Sequence, residues 1–291
     1  MAQVVHFQAD VWGHRYSAED RERALCALEQ GSVLYFPQLR FTVAEAESRL
    51  LTPAIAGASK NISLDHLGRI PLGIGAGETE LELLRRMMQR FAASSGALLE
   101  NLLPRYQPGL QQARTSFRPV EIAGRATSWR KDDSRLHIDA FPSSPVQGRR
   151  ILRVFSNVNP HGQSRTWLLG EPFENVARRY LPSLRRPLPG TSHLLRLLGM
   201  TRSRRSDYDH FMLQIHDRMK ADQDYQSKMA RAVCDFRAGS SWLVFTDQVS
   251  HAATKGQHAL EQTSYLPLAC MQDPSQAPLR TLERLVGRPL T

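Results

Sequence analysis

The stretch SRLHIDAFPSSP, residues 134–145, carries a histidine and an aspartate two positions apart, His137 and Asp139. In an extended chain, residues i and i+2 project from the same face, about 6.6 Å apart along the backbone. Both side chains can therefore reach one point above that face. An imidazole and a carboxylate so placed provide two of the three ligands of a 2-His-1-carboxylate iron site. Because His-x-Asp also occurs by chance in ordinary strands, a third ligand decides the matter.

The third ligand is expected in the later segment SSWLVFTDQVSHAATKGQHALEQTSYLPL, residues 240–268, which contains His251 and His258. His251 follows an apolar strand, and the small alanines after it leave room beside a metal. His258 follows the turn-like pair Lys255-Gly256, which is typical of a surface position or a strand start. We therefore favour His251. The predicted triad is His137, Asp139 and His251, with Fe(II) as the first choice of metal and zinc as a chemical alternative.

An iron oxygenase of this kind usually consumes 2-oxoglutarate, whose distal carboxylate needs a cationic anchor. Many members have an arginine shortly after the distal histidine, but Gln262 stands in that region here. The anchor is therefore expected on another inner strand. The candidates are Arg118 in TSFRPVEI, Arg153 in RILRVF and Arg165 in SRTWLL.

Arg165 has a second feature, because Trp167 lies two positions later and shares its face of a strand. A planar guanidinium can hold a carboxylate with two parallel hydrogen bonds, and an indole N–H adds one donor. Arg149 and Arg150 are alternatives to Arg153, since strand register cannot be fixed from one sequence.

The order of predicted elements indicates an α+β protein with a double-stranded β-helix (jelly roll) core, packed N-terminal helices and a helical, arginine-rich insertion. SAEDRERALCALEQG predicts a helix capped by Ser17, and TVAEAESRLLTP predicts another. Gly73, Gly75 and Gly77 predict a turn before a long helix that Thr79 caps. We expect one domain over 1–291, divided as follows: 1–104 mainly helical, 105–170 and 239–270 jelly-roll strands, and 171–238 the helical insertion.

The composition indicates a soluble globular protein whose positive charge needs an anionic partner or a tolerant surface. Hydrophobic residues make up 41% of the chain and charged residues 23%, with a net charge of +10 and a pI near 10.0. No signal peptide is visible and no apolar run approaches the roughly 20 residues that span a bilayer, so we expect a cytoplasmic location. Residues 178–205 contain many arginines and no acidic residue.

Three segments together resemble one family, the Kdo 3-hydroxylases: HIDAFPSSPVQGRRILRVFSNVNP, RTWLLGEPFENVARRYLP and TDQVSHAA. These enzymes are membrane-associated Fe(II)/2-oxoglutarate dioxygenases of lipopolysaccharide biosynthesis. They hydroxylate carbon 3 of 3-deoxy-D-manno-oct-2-ulosonic acid (Kdo) on Kdo-lipid A to give Ko, with release of succinate and CO2. The resemblance covers about residues 59–267.

Carried over by position, the resemblance implies iron ligation by His137, Asp139 and His251. Ascorbate is the reductant expected for such an enzyme. It also implies that His216, in MLQIHDRM, lies near the iron and assists oxygen chemistry, although its place on an amphipathic helix also fits an ordinary histidine. The residues that it implies for 2-oxoglutarate binding are Arg118, Arg153, Arg165 and Trp167.

The resemblance also implies a partner and a location. Kdo carries a carboxylate and lipid A carries phosphates, so the arginine-rich insertion is expected to hold the protein peripherally on the cytoplasmic face of the inner membrane. A solvated basic loop is the simpler alternative. Two other functions share some features: a nucleic-acid demethylase with the same triad, and a non-enzymatic basic nucleic-acid-binding protein, although we do not expect nucleic acid to be the partner.

Overall fold

A computed structural model describes residues 1–65, 67–70, 75 and 77–291. The strands of this part of the chain are β1 (Val4–His6), β2 (Val33–Phe36), β3 (Ile62–Leu64), β4 (Gln111–Arg118), β5 (Arg150–Asn157), β6 (Arg165–Leu169), β7 (Ala232–Phe236), β8 (Ser241–Phe245), β9 (His251–Lys255) and β10 (Ala259–Leu266). The α-helices are α1 (Ala18–Glu29), α2 (Glu78–Leu102), α3 (Phe173–Tyr180), α4 (Thr191–Leu197), α5 (Asp207–Ala221), α6 (Gln223–Lys228) and α7 (Pro278–Val286).

The strands form a larger and a smaller sheet. The larger sheet has the order β1-β2-β8-β5-β10-β4-β3, and its pairs are antiparallel apart from β1 with β2. The smaller sheet has the order β7-β6-β9, also antiparallel. The segment around His137 pairs with the edge strand β9 of the smaller sheet through one antiparallel bridge, between His137 and His251.

An aromatic cluster packs the two sheets face to face. Trp242 on β8 stacks on Phe236 of β7 at 4.1 Å and on Phe155 of β5 at 5.1 Å between ring centroids. Trp167 on β6 meets both Phe155 and Trp242 edge to face. Such pairs add to the apolar area that each ring buries. Phe155 and Trp167 of this cluster also line a polar cavity between the two sheets, so the aromatic packing forms part of the cavity wall.

Helices cover the outer face of the larger sheet, which explains why its central strands alternate only weakly in the sequence. All eight residues of β5 are buried. Leu152 and Val154 point outward into a core shared with α1 and α2, whereas Phe155 points inward to the aromatic cluster. The predicted α+β class, with a jelly roll, packed N-terminal helices and a helical insertion, is confirmed.

A second core joins the insertion to residues 136–139, called here the HID segment. Leu136 and Ile138 alternate with the two polar residues of this segment and are buried among side chains of α3, α5 and α7. The helices therefore hold the backbone of residues 136–139 from behind. The 171–238 stretch also contains the strand β7, and β1 to β3 come from the N-terminal 104 residues.

Local signals in the sequence were partly correct. Ser17 caps α1 by accepting a hydrogen bond from the Asp20 backbone N–H. The helix predicted from TVAEAESRLLTP is a 3₁₀ helix, Glu45–Leu50. The predicted cap at Thr79 is wrong, because Gly77 is the N-cap residue of α2. The predicted turn at Gly73 lies outside the described residues. None of the helices in the described ranges has the length and apolar character that crossing a bilayer requires.

Candidate metal centre and its cavity

Three side chains converge at the polar cavity of the jelly roll: His137, Asp139 and His251. One ligand atom from each lies within 4.8 Å of the others, and His137 Nε2 is 3.8 Å from Asp139 Oδ1. All three residues are buried, with exposed fractions of 6%, 9% and 5%. Buried polar groups this close to one another need a shared partner, and a divalent cation provides one.

Backbone hydrogen bonds rather than a regular strand hold the HID segment in place. His137 and His251 exchange both backbone hydrogen bonds, at 2.9 and 2.8 Å, and the Asp139 N–H donates to the Thr246 carbonyl at 2.8 Å. The expected strand over SRLHIDAF is thus reduced to one bridge. The extended geometry at that bridge still places His137 and Asp139 on one side of the chain.

Each histidine is oriented by a backbone carbonyl. The Nδ1 atom of His137 is 2.7 Å from the Arg135 oxygen, and that of His251 is 2.8 Å from the Val249 oxygen. Because a carbonyl only accepts, both Nδ1 atoms carry the proton and both Nε2 atoms keep a free lone pair. Burial and, for His137, the neighbouring His251 lower the pKa of each imidazole. Neutral imidazoles of this kind are what a metal binds.

Asp139 stays ionised despite its burial. Desolvation alone would raise the pKa of its carboxyl group, but Arg153 together with the other polar groups around the carboxylate outweighs this effect, and the pKa lies well below its ordinary value. Arg153 Nη2 is 3.2 Å from Asp139 Oδ2, which leaves Oδ1 on the side of His137. Two neutral imidazole nitrogens and one carboxylate oxygen fit a facial Fe(II) site.

The four residues expected to bind 2-oxoglutarate line one cavity of about 300 Å³ beside the triad: Arg118, Arg153, Arg165 and Trp167. The structure also distinguishes Arg153 from its neighbours on β5. Arg150 is fully buried against Asp247, and Arg149 lines an outer cleft rather than the inner cavity. The register of β5 therefore selects Arg153 for the cavity.

Glu261 on β10 is a site residue that the sequence did not reveal. It is buried, with Oε2 2.6 Å from Arg118 Nη2 and Oε1 3.2 Å from Arg153 Nη1. Burial opposes its ionisation, yet the two arginines hold its pKa below the ordinary value. Gln262, the position compared with the usual arginine, instead accepts a hydrogen bond from Thr115 Oγ1 at 2.6 Å. A carboxylate thus faces the cavity where an arginine was sought.

A second acidic residue of the cavity wall, Asp133, offsets the positive charges of Lys60 and Arg118. Lys60 Nζ is 2.7 Å from Asp133 Oδ2, and the Arg118 guanidinium lies 3.8 Å from the same carboxylate. Lys60 and Asp133 were also missed in the sequence, because each belongs to a segment without a recognisable motif. Their pairing means that Lys60 is not a free cation.

Arg165 differs from the other two cavity arginines. It is buried, its Nη1 donates to the Gly256 carbonyl at 3.2 Å, and its Nε has no hydrogen-bond partner among the described residues. Burial and the nearby Arg118 lower the pKa of Arg165 to about 9, so it remains charged at neutral pH. The indole Nε1 of Trp167 also lacks a partner in the described part of the chain. Both donors are therefore available to a ligand.

Gly256 permits this placement of Arg165. Its φ is +108°, and a Cβ at this position would lie 2.9 Å from the Arg165 Cα and 3.0 Å from the Ser164 carbonyl oxygen. Backbone atoms cannot move aside easily, so only glycine fits here. The turn-like Lys255-Gly256 pair thus supports the cavity wall.

His258, the alternative third ligand, lies outside the triad. It has φ +56° and is stacked against Phe117 with 6.5 Å between ring centroids. Burial lowers its pKa to about 4. Its position supports the choice of His251.

His216 reaches the triad through His137. The two rings meet edge to face, 5.5 Å apart, and His216 Nδ1 is 2.9 Å from Asp217 Oδ1. Lys220, one turn further along α5, is buried and donates from Nζ to the Arg130 carbonyl at 3.1 Å. The helix therefore presents two nitrogen-bearing side chains towards the HID segment.

Comparison with known proteins identifies the family. The model of the 3-deoxy-D-manno-oct-2-ulosonic acid (Kdo) hydroxylases matches residues 11–289. The chain belongs to the Kdo hydroxylase family. This membership confirms the resemblance carried by the three quoted segments. None of the curated proteins matches the chain.

Solved structures of a Kdo hydroxylase have the same fold as this family member. A crystal structure of KdoO, a non-heme Fe(II) alphaketoglutarate-dependent dioxygenase in complex with alphaketoglutarate and Fe(III), is 46% identical; the match covers 99% of this chain and 97% of that chain, with a TM-score of 0.95. A complex of KdoO with succinate and Fe(III) matches at 46% identity, the same coverages and a TM-score of 0.94. A complex with cobalt(II) matches at 47% identity, again over 99% and 97%, with a TM-score of 0.95.

Proposed function

We propose that this protein is an Fe(II)/2-oxoglutarate-dependent dioxygenase that hydroxylates carbon 3 of Kdo, giving Ko, succinate and CO2. The observation that carries the proposal is the buried triad of His137, Asp139 and His251 beside a cavity with an unpaired arginine. Family membership supplies the substrate class. A nucleic-acid demethylase would share the triad, but the family match favours the sugar.

In this proposal the triad residues would hold the iron through His137 Nε2, His251 Nε2 and Asp139 Oδ1. The carbonyls of Arg135 and Val249 keep the two imidazoles in the required tautomer. When bound, Fe(II) and 2-oxoglutarate supply the oxygen-activating chemistry that inserts one oxygen atom into a C–H bond. Ascorbate is the proposed reductant that keeps the iron in the ferrous state.

Arg165 is the proposed anchor for the distal carboxylate of 2-oxoglutarate, with Trp167 as a further donor. A buried guanidinium without a carboxylate partner is costly, and a ligand carboxylate would relieve that cost. Arg118 and Arg153 are already paired with Glu261 and Asp139. Both arginines are proposed to form a positively charged wall beside the cosubstrate. Arg153 also holds the Asp139 carboxylate in place.

His216 is proposed to act at the edge of the triad, as the family resemblance implies. Its ring contacts His137 edge to face, and its Nδ1 is held by Asp217. An imidazole that contacts a candidate metal ligand and is itself held by a carboxylate would suit a supporting role in oxygen chemistry at a bound iron.

We further propose that the acceptor is Kdo-lipid A and that the protein binds the cytoplasmic face of the inner membrane peripherally. The insertion around α4 exposes large apolar side chains, with Leu197 83% exposed. The members of this exposed set are Leu188, Leu194, Leu197, Leu198 and Met200. Arg185, Arg186 and Arg196 are exposed beside them. Apolar side chains between cations fit an anionic lipid surface.

The insertion also leads to the outer cleft. The Arg202 backbone N–H donates to the Ser143 carbonyl at 2.9 Å, and both residues line a cleft of about 950 Å³. Arg114 and Phe141 line this cleft and the inner cavity alike. A glycolipid held at the insertion could therefore extend its sugar through the cleft towards the triad.

Membrane binding should be electrostatic and reversible. The double substitution Arg185→Glu and Arg186→Glu is expected to lower sedimentation with anionic liposomes by about tenfold or more, because each cation near such a surface contributes about 1 kcal/mol. High salt should release the wild type. A control, Arg23→Glu with Arg280→Glu, makes the same change in net charge at exposed sites elsewhere. Equal sedimentation of all three proteins would contradict the proposed docking face.

The function is tested by succinate formation with Fe(II), 2-oxoglutarate, ascorbate and O2, with and without Kdo-lipid A. We expect succinate to rise with the glycolipid, together with a sugar product heavier by one oxygen atom. Alkylated DNA should give no such increase. Metal-dependent turnover that ignores the glycolipid would keep the iron site and reject the sugar. Salt-sensitive DNA binding without bound iron would favour the non-enzymatic alternative.

A further inference from the structure

The junction between the inner cavity and the outer cleft contains one arginine with no assigned role. Arg114 lies on β4, where residues 114, 116 and 118 alternate with Thr115 and Phe117 of the buried outer face. It lines both spaces, as does Phe141. A group that passes from the cleft to the triad between these shared residues therefore passes Arg114.

Arg114 is a free cation, unlike the arginines deeper in the cavity. Within the described ranges, no carboxylate lies within 4.0 Å of its guanidinium, which stacks over the Phe141 ring at 5.2 Å from the centroid. Solvent in the cleft reaches the side chain. Packed protein on its other sides and the charge of Arg153 lower the pKa of Arg114. The Glu261 carboxylate attracts Arg114 only from beyond ion-pair distance, so an anion that binds here would meet a cation without a direct carboxylate partner.

The chemistry of the substrate class supplies such an anion. A 3-deoxy-2-ulosonic acid has its carboxylate at carbon 1, the anomeric centre at carbon 2 and a methylene group at carbon 3. Carbon 2 alone separates the carboxylate from the carbon that reacts. When carbon 3 faces the triad, the carboxylate must therefore lie close to the triad and within reach of the cavity wall.

The other cations of the wall are already engaged. Arg118 and Arg153 share Glu261, Arg153 also holds Asp139, and Lys60 is paired with Asp133. Arg165 lies deeper and is assigned to the cosubstrate. In the outer cleft, Arg149 donates to the Val146 carbonyl and to Gln111. Arg202 also lines the outer cleft, but neither Arg149 nor Arg202 lines the inner cavity, so Arg114 is the cation that the two spaces share among the described residues.

We propose that Arg114 binds the carbon-1 carboxylate of the sugar and thereby selects carbon 3 as the position that faces the metal. Phe141 packs against the guanidinium from one side, and both residues line the outer cleft and the inner cavity. Arg114 is thus a specificity-determining residue for a sugar acid. This inference rests on the proposed Kdo hydroxylation.

The test uses the full-length holoenzyme and compares Arg114→Gln with Arg114→Lys. Loss of a charge-assisted contact should raise the KM for Kdo-lipid A by about 10- to 100-fold in Arg114→Gln. The KM for 2-oxoglutarate and the iron content should stay unchanged. The lysine variant should recover part of the loss, because it keeps the charge but not the planar pair of donors. Succinate released per hydroxylated sugar should rise in Arg114→Gln, as the sugar is less well oriented.

A matched control and a substrate analogue separate a direct contact from a general charge effect. Arg69 is on the same cleft and is already paired with Asp65 at 2.8 Å, so Arg69→Gln removes one charge without removing a free guanidinium. Its KM for the acceptor should change by less than about threefold. When a carboxamide replaces the sugar carboxylate, the affinity of wild type for the acceptor should fall. The affinity of Arg114→Gln should be the same for the acid and the amide.

The outcomes are distinguishable. If wild type hydroxylates Kdo and Arg114→Gln discriminates acid from amide as wild type does, the role of Arg114 is rejected and the function stands. Equal losses in Arg69→Gln and Arg114→Gln would also reject it, because the field of the cleft would then be responsible. If wild type forms no hydroxylated sugar from either compound, the proposed function fails and this inference fails with it.

Discussion

Replacing His251 with asparagine is expected to lower turnover by roughly a thousandfold or more and to remove bound iron. The imidazole contributes a neutral Nε2 lone pair that is aimed at the triad by the Nδ1 contact with Val249. An amide is a weaker ligand and too short to reach the same point. Mutation of a residue that hydrogen-bonds a metal ligand typically lowers metal affinity or activity by about 10- to 100-fold, so loss of the ligand itself should lower them further. Iron content, measured with the rate of succinate formation, checks the expectation.

The matched control is His258→Asn, which changes the histidine that the sequence left as the alternative. His258 has φ +56°, a conformation that asparagine adopts readily. This variant should keep its iron and lose no more than a few-fold in rate. Cobalt(II) gives a readout that is independent of turnover, because a ligand that binds only the folded state raises its melting temperature. Wild type and His258→Asn should show the rise and His251→Asn should not. Iron loss in His258→Asn alone would mean that the wrong histidine was chosen.

The sequence was most informative where function depends on short-range spacing. His137 and Asp139 share one side of the chain because they are two residues apart, and Arg165 and Trp167 line the same cavity for the same reason. The cap of α1 at Ser17 is equally local. Such features need only a few neighbouring residues, so they can be predicted without knowing which strands pair.

Features that depend on register were not accessible in this way. Either Glu261 or Gln262 could face the cavity, and the pairing of β10 with β4 and β5 decides in favour of Glu261. A shift in that pairing between Gln262 and Ser264 shows how local irregularity affects the outcome. Arg150 and Arg153 are separated in the same manner. Arg114 could not be singled out from the sequence, because an arginine on a strand is usually solvated. Its proposed role depends on its position between the cleft and the cavity, which only the structure shows.

Replacing Arg150 with methionine is expected to lower the free energy of unfolding by about 3–5 kcal/mol, because it leaves a buried carboxylate without its partner. Arg150 is 0% exposed. Its Nε lies 2.8 Å from Asp247 Oδ2, its Nη2 donates to Gln248 Oε1 at 2.5 Å, and the guanidinium lies 3.8 Å over Phe245. The midpoint of urea unfolding should fall while the slope of the transition stays the same.

The neighbouring residue provides the control. Arg149→Met removes an arginine from the cleft, where it contacts the Val146 carbonyl and the Tyr265 ring, and should cost no more than about 1 kcal/mol. Similar losses in both variants would mean that the buried pair adds little. Arg150→Met with Asp247→Leu should regain part of the stability, since the unpaired charge is then gone.

The destabilisation in Arg150→Met should also depend on pH. Burial raises the pKa of Asp247 even with Arg150 present, and loss of the arginine should raise it further. A carboxyl group whose pKa is higher in the folded than in the unfolded state binds more protons when folded, so the folded state is favoured at low pH. The unfolded-state pKa is the same in both proteins, so the deficit of Arg150→Met changes only between the folded-state pKa of Asp247 in the wild type and its higher value in the variant. The deficit should grow as the pH rises through that window and shrink as the pH falls through it. A deficit that is constant from pH 5 to pH 8, roughly the range in which folded proteins are most stable, would mean that Asp247 keeps its charge without Arg150 and finds compensation elsewhere.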